Sequence, residues 1–187
     1  DRIVNHCQDN HINVLMTSNA CKTGTDRVYE ASKQVEADIY INVQGDEPII
    51  DPENIKKVIN VSANNPIQVV ATMSNIDEKE FFSNTIPKVV TRLDNRLLYA
   101  SRAGIPTTKS LEFIYSKKQI GIYAFPKQSL IDFVSVDNKT PLEALEDIEI
   151  LRFLELGYEV QMVELDDNSF AIDIPADVKK VEAILNV

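Results

Sequence analysis

The first candidate for chemistry is a carboxylate at the end of a predicted strand. An apolar run at residues 38–43 leads into the heptad 42–48, Asn-Val-Gln-Gly-Asp-Glu-Pro, and a helical pattern begins at Asp51. Because ligands of open α/β sheets bind where the strands end, Asp46 is placed to hold a hard cation such as Mg²⁺ against phosphate oxygens. An ordinary strand-to-helix turn would use the same residues, so the heptad alone leaves both interpretations open.

A second acidic strand end occurs near the C-terminus. In residues 171–177, Ala-Ile-Asp-Ile-Pro-Ala-Asp, Asp173 closes a short apolar run and Pro175 begins a predicted helix. The carboxyl ends of parallel strands meet at one edge of a sheet, so Asp46 and Asp173 could together hold Mg²⁺ against a triphosphate. An N-cap explains Asp173 about equally well.

A third candidate is the turn at residues 23–27, Thr-Gly-Thr-Asp-Arg, which lies between a predicted strand and a predicted helix. Backbone N–H groups and hydroxyls that collect at a helix start predict a receptor for an anion or a base edge. A simple capping turn with Asp26 in the first helical turn is the alternative. We find no Walker or dinucleotide motif, and no nucleophile pattern that supports covalent catalysis.

Composition limits the class of protein. The chain has 187 residues, 44% of them hydrophobic, which predicts one domain over residues 1–187 with one substantial core. A net charge of -10 disfavours binding to nucleic acid or to an anionic membrane surface, so anionic substrates would need local cations or a metal. No apolar run approaches the ~20 residues that cross a bilayer, and no signal-peptide pattern opens the chain, so we expect a cytoplasmic protein.

The order of predicted elements indicates an α/β fold with a doubly wound, mostly parallel sheet. Apolar runs alternate with helical patterns in the first half: strands at 13–17, 38–43 and 68–73, helices at 25–35 and 51–63. Between residues 87 and 125 the pattern becomes mainly extended, with runs at 87–93, 96–101 and 119–125. We expect this segment to form a small β excursion that carries a dimer contact or part of a ligand site.

The last third predicts a long helix, a strand at 158–165, a short strand at 170–173 and a helix at 175–186. The long helix begins at Pro141 and ends at Gly157, with a leucine-rich core stripe at 142, 145, 148, 151 and 154. Beside the stripe, Glu143 and Glu146 are interpreted as solvated residues. For Glu149, a solvated i, i+3 ion pair with Arg152 is one interpretation, and it is left open here.

Together these segments resemble the 3-deoxy-manno-octulosonate (Kdo) cytidylyltransferases, the CMP-Kdo synthetases. Residues 42–48 are identical to the central motif of that family. Similar segments follow the family's order: residues 23–27, 87–90, 99–106, 121–123 and 141–152. Several motifs in the correct order are more specific than any one of them.

The resemblance implies a Rossmann-like nucleotidyltransferase sheet and a set of site residues. Asp46 and Asp173 would be the catalytic Mg²⁺ ligands. The nucleotide would be bound by four residues of one turn: Thr23, Gly24, Thr25 and Arg27. The sugar acid would be bound by five residues: Gln44, Arg102, Gln119, Tyr123 and Glu149.

The implied reaction transfers CMP from CTP to a 2-keto-3-deoxy sugar acid, Kdo or its 8-amino analogue, and releases pyrophosphate. The family further implies a cytoplasmic homodimer in lipopolysaccharide or capsule synthesis, with its dimer contact in residues 87–125. Two alternatives stay open: a metal-dependent glycosyltransferase that uses a preformed sugar nucleotide, and a folded remnant of a cytidylyltransferase without activity.

Departures from the family pattern concern the sugar acid and the triphosphate. Gln119 stands where the family commonly has His, and Ile150 stands where it has Gln. An apolar Ile150 cannot make the hydrogen bonds of an amide, so the identity of the sugar acid stays open. The chain opens at Asp1, past the family's Arg/Lys/Gly-rich triphosphate loop, so we expect residues 1–187 alone to bind CTP poorly and to be inactive.

Overall fold

The computed structural model describes residues 2–166, 171–172 and 174–185. Its helices are α1 Arg2–Asp9, α2 Gly24–Ser32, α3 Pro52–Asn64, α4 Glu78–Phe81, α5 Lys127–Val134, α6 Pro141–Glu146, α7 Ile150–Glu155 and α8 Pro175–Leu185. Its strands are β1 Ile39–Val43, β2 Val69–Asn75, β3 Lys88–Thr91, β4 Leu97–Ser101, β5 Lys117–Pro126 and β6 Val160–Glu164. Within these described ranges, no helix is both long enough and apolar enough to cross a bilayer.

The strands form one sheet in the order β4-β3-β5-β2-β6, and β1 pairs with the end of β5. The strand β5 runs antiparallel to β1, β2 and β3, whereas β2 and β6 pair in parallel. The strands β1, β2, β3 and β6 therefore share one direction, and β4 and β5 oppose them. The α/β fold class is confirmed. Four of these strands point in the same direction, as a mostly parallel sheet requires. Most neighbouring pairs are nevertheless antiparallel, because β5 lies between strands that run in the opposite direction.

Both faces of the sheet are covered, as in a doubly wound fold. Side chains alternate along β2, so Val69 and Ala71 face one core and Val70 faces the other. Residues of α2, α5 and α7 pack on the first face, and Val58 of α3 packs on the second. Asp51 begins α3 as its N-cap, with Pro52 in the first turn.

The predicted long helix from Pro141 to Gly157 is wrong, because it breaks into α6 and α7 at Asp147. Asp147 has a left-handed backbone with a φ of 53°. The break changes the direction of the apolar stripe. Leu151 is fully buried as expected, but Leu145 is 83% exposed.

The interpretation of Glu143 as a solvated residue is also wrong. Its carboxylate is fully buried and accepts two hydrogen bonds from Arg152, from Nε at 2.6 Å and from Nη2 at 2.7 Å. In place of a Glu149–Arg152 ion pair, the structure has a Glu143–Arg152 pair. This pair fixes α7 against α6, because its two partners lie on opposite sides of the break.

The strand expected at residues 13–17 does not form. This segment has no strand pairing in the described part of the chain, and Leu15 and Met16 are 44% and 59% exposed. A strand needs a neighbour to satisfy its N–H and C=O groups, and apolar sequence alone cannot supply one. The strand expected at 170–173 lies partly outside the described residues, and positions 171–172 are not in a strand.

Candidate active site

The five residues expected to bind the sugar acid line one cavity of about 190 Å³. They come from four separate segments: Gln44 follows β1, Arg102 follows β4, Gln119 and Tyr123 lie on β5, and Glu149 directly precedes α7. Thr25 of the predicted nucleotide segment and Ile150 also line this cavity. Pockets for drug-sized ligands span roughly 300–1,000 Å³, so this cavity suits one sugar and not a whole nucleotide.

A tyrosine and an amide meet in the cavity wall. Tyr123 is 8% exposed, and its hydroxyl accepts a hydrogen bond of 2.6 Å from Nε2 of Gln119. Burial raises the pKa of Tyr123 far above its ordinary value, and the negative charges of Glu149, Glu47 and Asp46 raise it further. The hydroxyl therefore stays protonated and keeps an O–H to donate.

The side-chain oxygen of Gln119 is a hydrogen-bond acceptor in the cavity wall. Its Oε1 atom is buried and has no partner among the residues that the structure describes. A buried acceptor without a partner costs about 1–3 kcal/mol. A ligand that places a hydroxyl or ammonium donor at this atom would recover that cost.

Gly121 allows the end of β1 to approach β5. The N–H of Gly121 donates to Oε1 of Glu47 at 2.7 Å, and the N–H of Gln44 donates to the Gly121 carbonyl at 2.9 Å. A Cβ atom on Gly121 would lie 2.7 Å from Oε1 of Glu47 and 2.8 Å from Oε1 of Gln44. It would also lie 2.9 Å from Cβ of Gln44, which is less free to move than the ends of the two side chains, so glycine is favoured at this position.

Arg102 acts mainly as a brace of the cavity wall. Its Nε donates to the Glu146 carbonyl at 2.6 Å, its Nη1 to the Thr85 and Asn84 carbonyls at 2.9 and 3.4 Å, and its Nη2 to the Asp147 carbonyl at 3.0 Å. A guanidinium has five N–H donors, so at most one is left for a ligand. Its contact with a sugar carboxylate stays a prediction.

Glu146 organises the same wall, and its interpretation as a solvated residue is wrong. Its carboxylate accepts hydrogen bonds from the Ser101 hydroxyl at 2.7 Å and from the Arg102 N–H at 2.9 Å. Burial opposes its ionisation, but hydrogen bonds from Arg102, Ser101 and Tyr99 outweigh burial and lower the pKa of Glu146. The position of Glu146 in an acidic stripe is the one sequence signal that points to this residue.

Glu149 reaches from α7 to the start of α2. Its Oε1 accepts the Gly24 N–H at 3.1 Å, and its Oε2 accepts the Thr25 N–H at 2.8 Å. The Asp26 N–H is taken by the Thr23 hydroxyl at 3.2 Å. Side-chain oxygens occupy the N–H groups of this helix start, which favours the capping-turn alternative, and the receptor for an anion or a base edge stays a prediction.

The other predicted nucleotide residues lie beside the cavity. Thr23 forms a capping box with Asp26, and Arg27 donates to the Thr17 hydroxyl at 2.8 Å and to the Ser18 carbonyl at 3.1 Å. Among the four, Thr25 is the one that lines the cavity. The nucleotide role of this turn stays a prediction.

Asp46 lies exposed in the turn after β1, two residues from Gln44. Its carboxylate accepts no hydrogen bond from the residues that the structure describes. Its carbonyl oxygen accepts the Ile172 N–H at 2.8 Å, so the segment that precedes Asp173 runs beside it. Asp173 itself lies outside the described residues. Within the described ranges, no three His, Cys, Asp or Glu side chains cluster to hold a metal.

Comparisons with known proteins identify the family of the chain. Residues 1–163 match the family model described as cytidylyltransferase. The chain is similar to the 3-deoxy-manno-octulosonate cytidylyltransferases of Acidobacterium capsulatum, with 32% identity over 99% of this chain and 76% of the relative, and of Syntrophotalea carbinolica, with 36% identity over 92% and 73%.

Solved structures give the same result. The chain is similar to CMP:2-keto-3-deoxy-manno-octonic acid synthetase complexed with CTP, with a TM-score of 0.91 and 31% identity over 99% of this chain and 77% of that chain. The inositol-1-phosphate CTP transferase from T. maritima shares the fold alone, with a TM-score of 0.64 and 15% identity over 98% of this chain and 70% of that chain.

Proposed function

We propose that this chain, which belongs to the 3-deoxy-manno-octulosonate cytidylyltransferase family, transfers CMP from CTP to Kdo or a closely related 2-keto-3-deoxy sugar acid. The anomeric hydroxyl oxygen of the acid bonds to the α-phosphorus of CTP, its proton is lost, and pyrophosphate leaves. Membership of this family makes the chain a nucleotidyltransferase, which disfavours the glycosyltransferase alternative.

The observation that carries the proposal is the convergence of four segments on one small cavity. The cavity offers an O–H donor at Tyr123, an unpartnered acceptor at Gln119 and a carboxylate at Glu149. Donors and acceptors on several walls suit a compact molecule with many hydroxyls. Their role for such a ligand is to hold the reacting hydroxyl in one orientation, which lowers the entropic part of the barrier.

We propose Mg²⁺ as the cofactor, held by Asp46 and Asp173. The fit is chemical: an exposed carboxylate oxygen is the ligand that Mg²⁺ prefers, and the Ile172–Asp46 hydrogen bond supports a shared position for the two segments. When bound, Mg²⁺ neutralises charge on the phosphoryl oxygens. Asp46, in the turn after β1, and Asp173 would supply the carboxylate ligands.

Assembly, location and sugar preference are further parts of the proposal. The sheet order leaves β4 at an edge, where Leu98 is 57% exposed, which supports a homodimer through residues 87–125. We further propose a cytoplasmic enzyme that supplies CMP-activated sugar acid for lipopolysaccharide or capsule synthesis. The unpartnered Gln119 acceptor is compatible with a hydroxyl donor or an ammonium donor, so the 8-amino analogue is included among the substrates.

The direct test is pyrophosphate release with CTP, Mg²⁺ and Kdo, together with detection of CMP-Kdo by mass spectrometry. Full-length protein that releases no pyrophosphate would refute the proposal. Asp46→Asn should lower turnover by about a hundredfold or more, roughly 2.7 kcal/mol in the barrier, while the melting temperature stays unchanged. Mn²⁺ bound in the presence of CTP, measured by electron paramagnetic resonance, should fall in parallel.

The matched control is Asp38→Asn, which removes an exposed carboxylate just before β1, at the opposite end of that strand. It should leave both turnover and Mn²⁺ binding unchanged. Equal effects of the two substitutions would mean that general charge, and not a metal site, is being measured.

A further inference from the structure

We propose that Glu149 is a positioning residue that sets the start of α2 against the sugar cavity. Its two carboxylate oxygens accept the N–H groups of Gly24 and Thr25, at 3.1 and 2.8 Å. The contact joins residues 125 and 124 positions apart in the chain. One side chain therefore connects the turn expected to bind nucleotide with the cavity expected to bind the sugar acid.

The need for such a group follows from helix geometry. The first N–H groups of a helix have no partner within it, and they carry a partial positive charge. In α2, Glu149 satisfies two of these groups and Thr23 satisfies the third. Thr25 is 3% exposed, so water cannot readily replace the carboxylate there. Losing the carboxylate would leave a buried N–H unpaired and release the turn.

Glu149 is itself held firmly. It lies two residues after the break at Asp147, whose carbonyl accepts a hydrogen bond from Arg102, and it precedes α7, which the buried Glu143–Arg152 pair anchors. Each carboxylate oxygen has two lone pairs, so Glu149 can hold α2 and still accept a hydroxyl of a bound sugar acid. Binding in the cavity and binding at the turn are then energetically coupled through one carboxylate.

This inference rests on the proposed function, and Glu149→Gln tests it. An amide replaces one of the two acceptor oxygens by an NH2 donor, which would face an N–H group of α2 instead of accepting from it. We expect CTP to bind at least about tenfold more weakly, or ~1.4 kcal/mol, in calorimetry without any sugar acid. We also expect the amide hydrogens of Gly24 and Thr25 to exchange faster.

The control is Glu155→Gln. Glu155 makes the same kind of contact at another helix start, accepting the N–H groups of Leu142 at 3.1 Å and Glu143 at 3.3 Å, and it does not line the cavity. It should leave CTP affinity and the exchange of Gly24 and Thr25 unchanged. If Glu149→Gln does not fold, Glu149→Asp, which keeps the charge on a shorter side chain, should give a smaller effect in the same direction.

The outcomes separate the two ideas. If Glu149 only contacts the sugar acid, Glu149→Gln will leave both CTP affinity and amide exchange as in wild type, and the positioning role is overturned. If the full-length protein does not bind CTP, the proposed function fails. The exchange rates at Gly24 and Thr25 then decide the positioning role by themselves.

Discussion

The buried ion pair between Glu143 and Arg152 gives the sharpest stability prediction. The side chains are 0% and 2% exposed and form two parallel hydrogen bonds of 2.6 and 2.7 Å. Arg152 also donates to the Phe133 carbonyl at 3.1 Å, and its guanidinium lies 3.8 Å from the centre of the Phe133 ring. Removing one partner would leave the other charge buried and uncompensated.

The expected magnitude follows from this burial. Breaking a buried pair by removing one partner costs about 3–5 kcal/mol. Glu143 also accepts the Thr140 N–H at 3.1 Å as part of a capping box, and losing a cap costs a further ~1 kcal/mol. Against a typical total of about 5–15 kcal/mol, Glu143→Ala should remove much of the free energy of unfolding. Glu143→Leu with Arg152→Met should recover most of it, because no charge is left behind.

Urea unfolding followed by circular dichroism at pH 7 measures these differences. The control is Glu53→Ala, which breaks the Glu53–Lys56 pair: its distance is also 2.6 Å, but its side chains are 66% and 65% exposed. It should cost no more than about 1 kcal/mol. Equal losses for Glu143→Ala and Glu53→Ala, or a double variant no more stable than Glu143→Ala, would refute the reasoning from burial.

Three further predictions concern the cavity. Gly121→Ala places a methyl group 2.7 Å from Glu47 and should lower the free energy of unfolding in urea by about 1–3 kcal/mol. Gly45→Ala, which has nothing within 4 Å, should leave it nearly unchanged. Equal losses in the two variants would contradict this. Gln119→His should change the ratio of kcat/KM between Kdo and its 8-amino analogue by about 5- to 150-fold, which corresponds to about 1–3 kcal/mol. An unchanged ratio would exclude Gln119 from sugar selection. The lowered pKa of Glu146 means that its carboxylate binds protons more weakly in the folded protein, so its contribution to stability is complete above the ordinary pKa of 4.5 and is lost as the pH falls below that value. Melting temperatures measured from pH 7 to 3.5 should therefore fall less steeply in Glu146→Gln than in wild type. Parallel curves for the two proteins would contradict this.

Local sequence patterns were sufficient to predict several strands and the residues that line the cavity. Apolar runs located β1, β2 and β5 to within a few residues, and the resemblance named the residues that β5 and the end of β1 bring into one cavity. These residues follow strand ends or lie along one strand face, so their approximate place follows from the order of elements. Distances and partners did not follow, because they depend on contacts between segments far apart in the chain.

The helix break shows why the rest was not predictable. The leucine spacing continues through Asp147 without interruption, and an aspartate carries no strong signal for a left-handed backbone. The i, i+3 rule then assigned Arg152 to Glu149, although the break turns Arg152 towards Glu143 instead. The one useful local signal was Thr140 followed three residues later by Glu143, a capping-box pattern that the structure confirms.

Because of the break at Asp147, three neighbouring glutamates make contacts with three different parts of the protein. Glu143 neutralises a buried arginine, Glu146 receives hydrogen bonds at the end of β4, and Glu149 holds the start of α2. On one continuous helix these residues would share a single face, three positions apart. The change of direction at Asp147 therefore connects the core, the cavity wall and the predicted nucleotide turn.

The positively charged side chains near the cavity also donate most of their hydrogen bonds within the protein. Lys88 is fully buried and donates to the carbonyls of Ser83, Ile86 and Arg102, and most donors of Arg102 also go to carbonyls. Among the described residues that line the cavity, Arg102 is the one with a full positive charge, and it has at most one donor for a ligand. Two anionic substrates brought together at this edge would repel each other unless another positive charge lies between them. The lining residues leave at most one donor of Arg102 for this purpose, and the proposed Mg²⁺ at Asp46 would supply the additional positive charge.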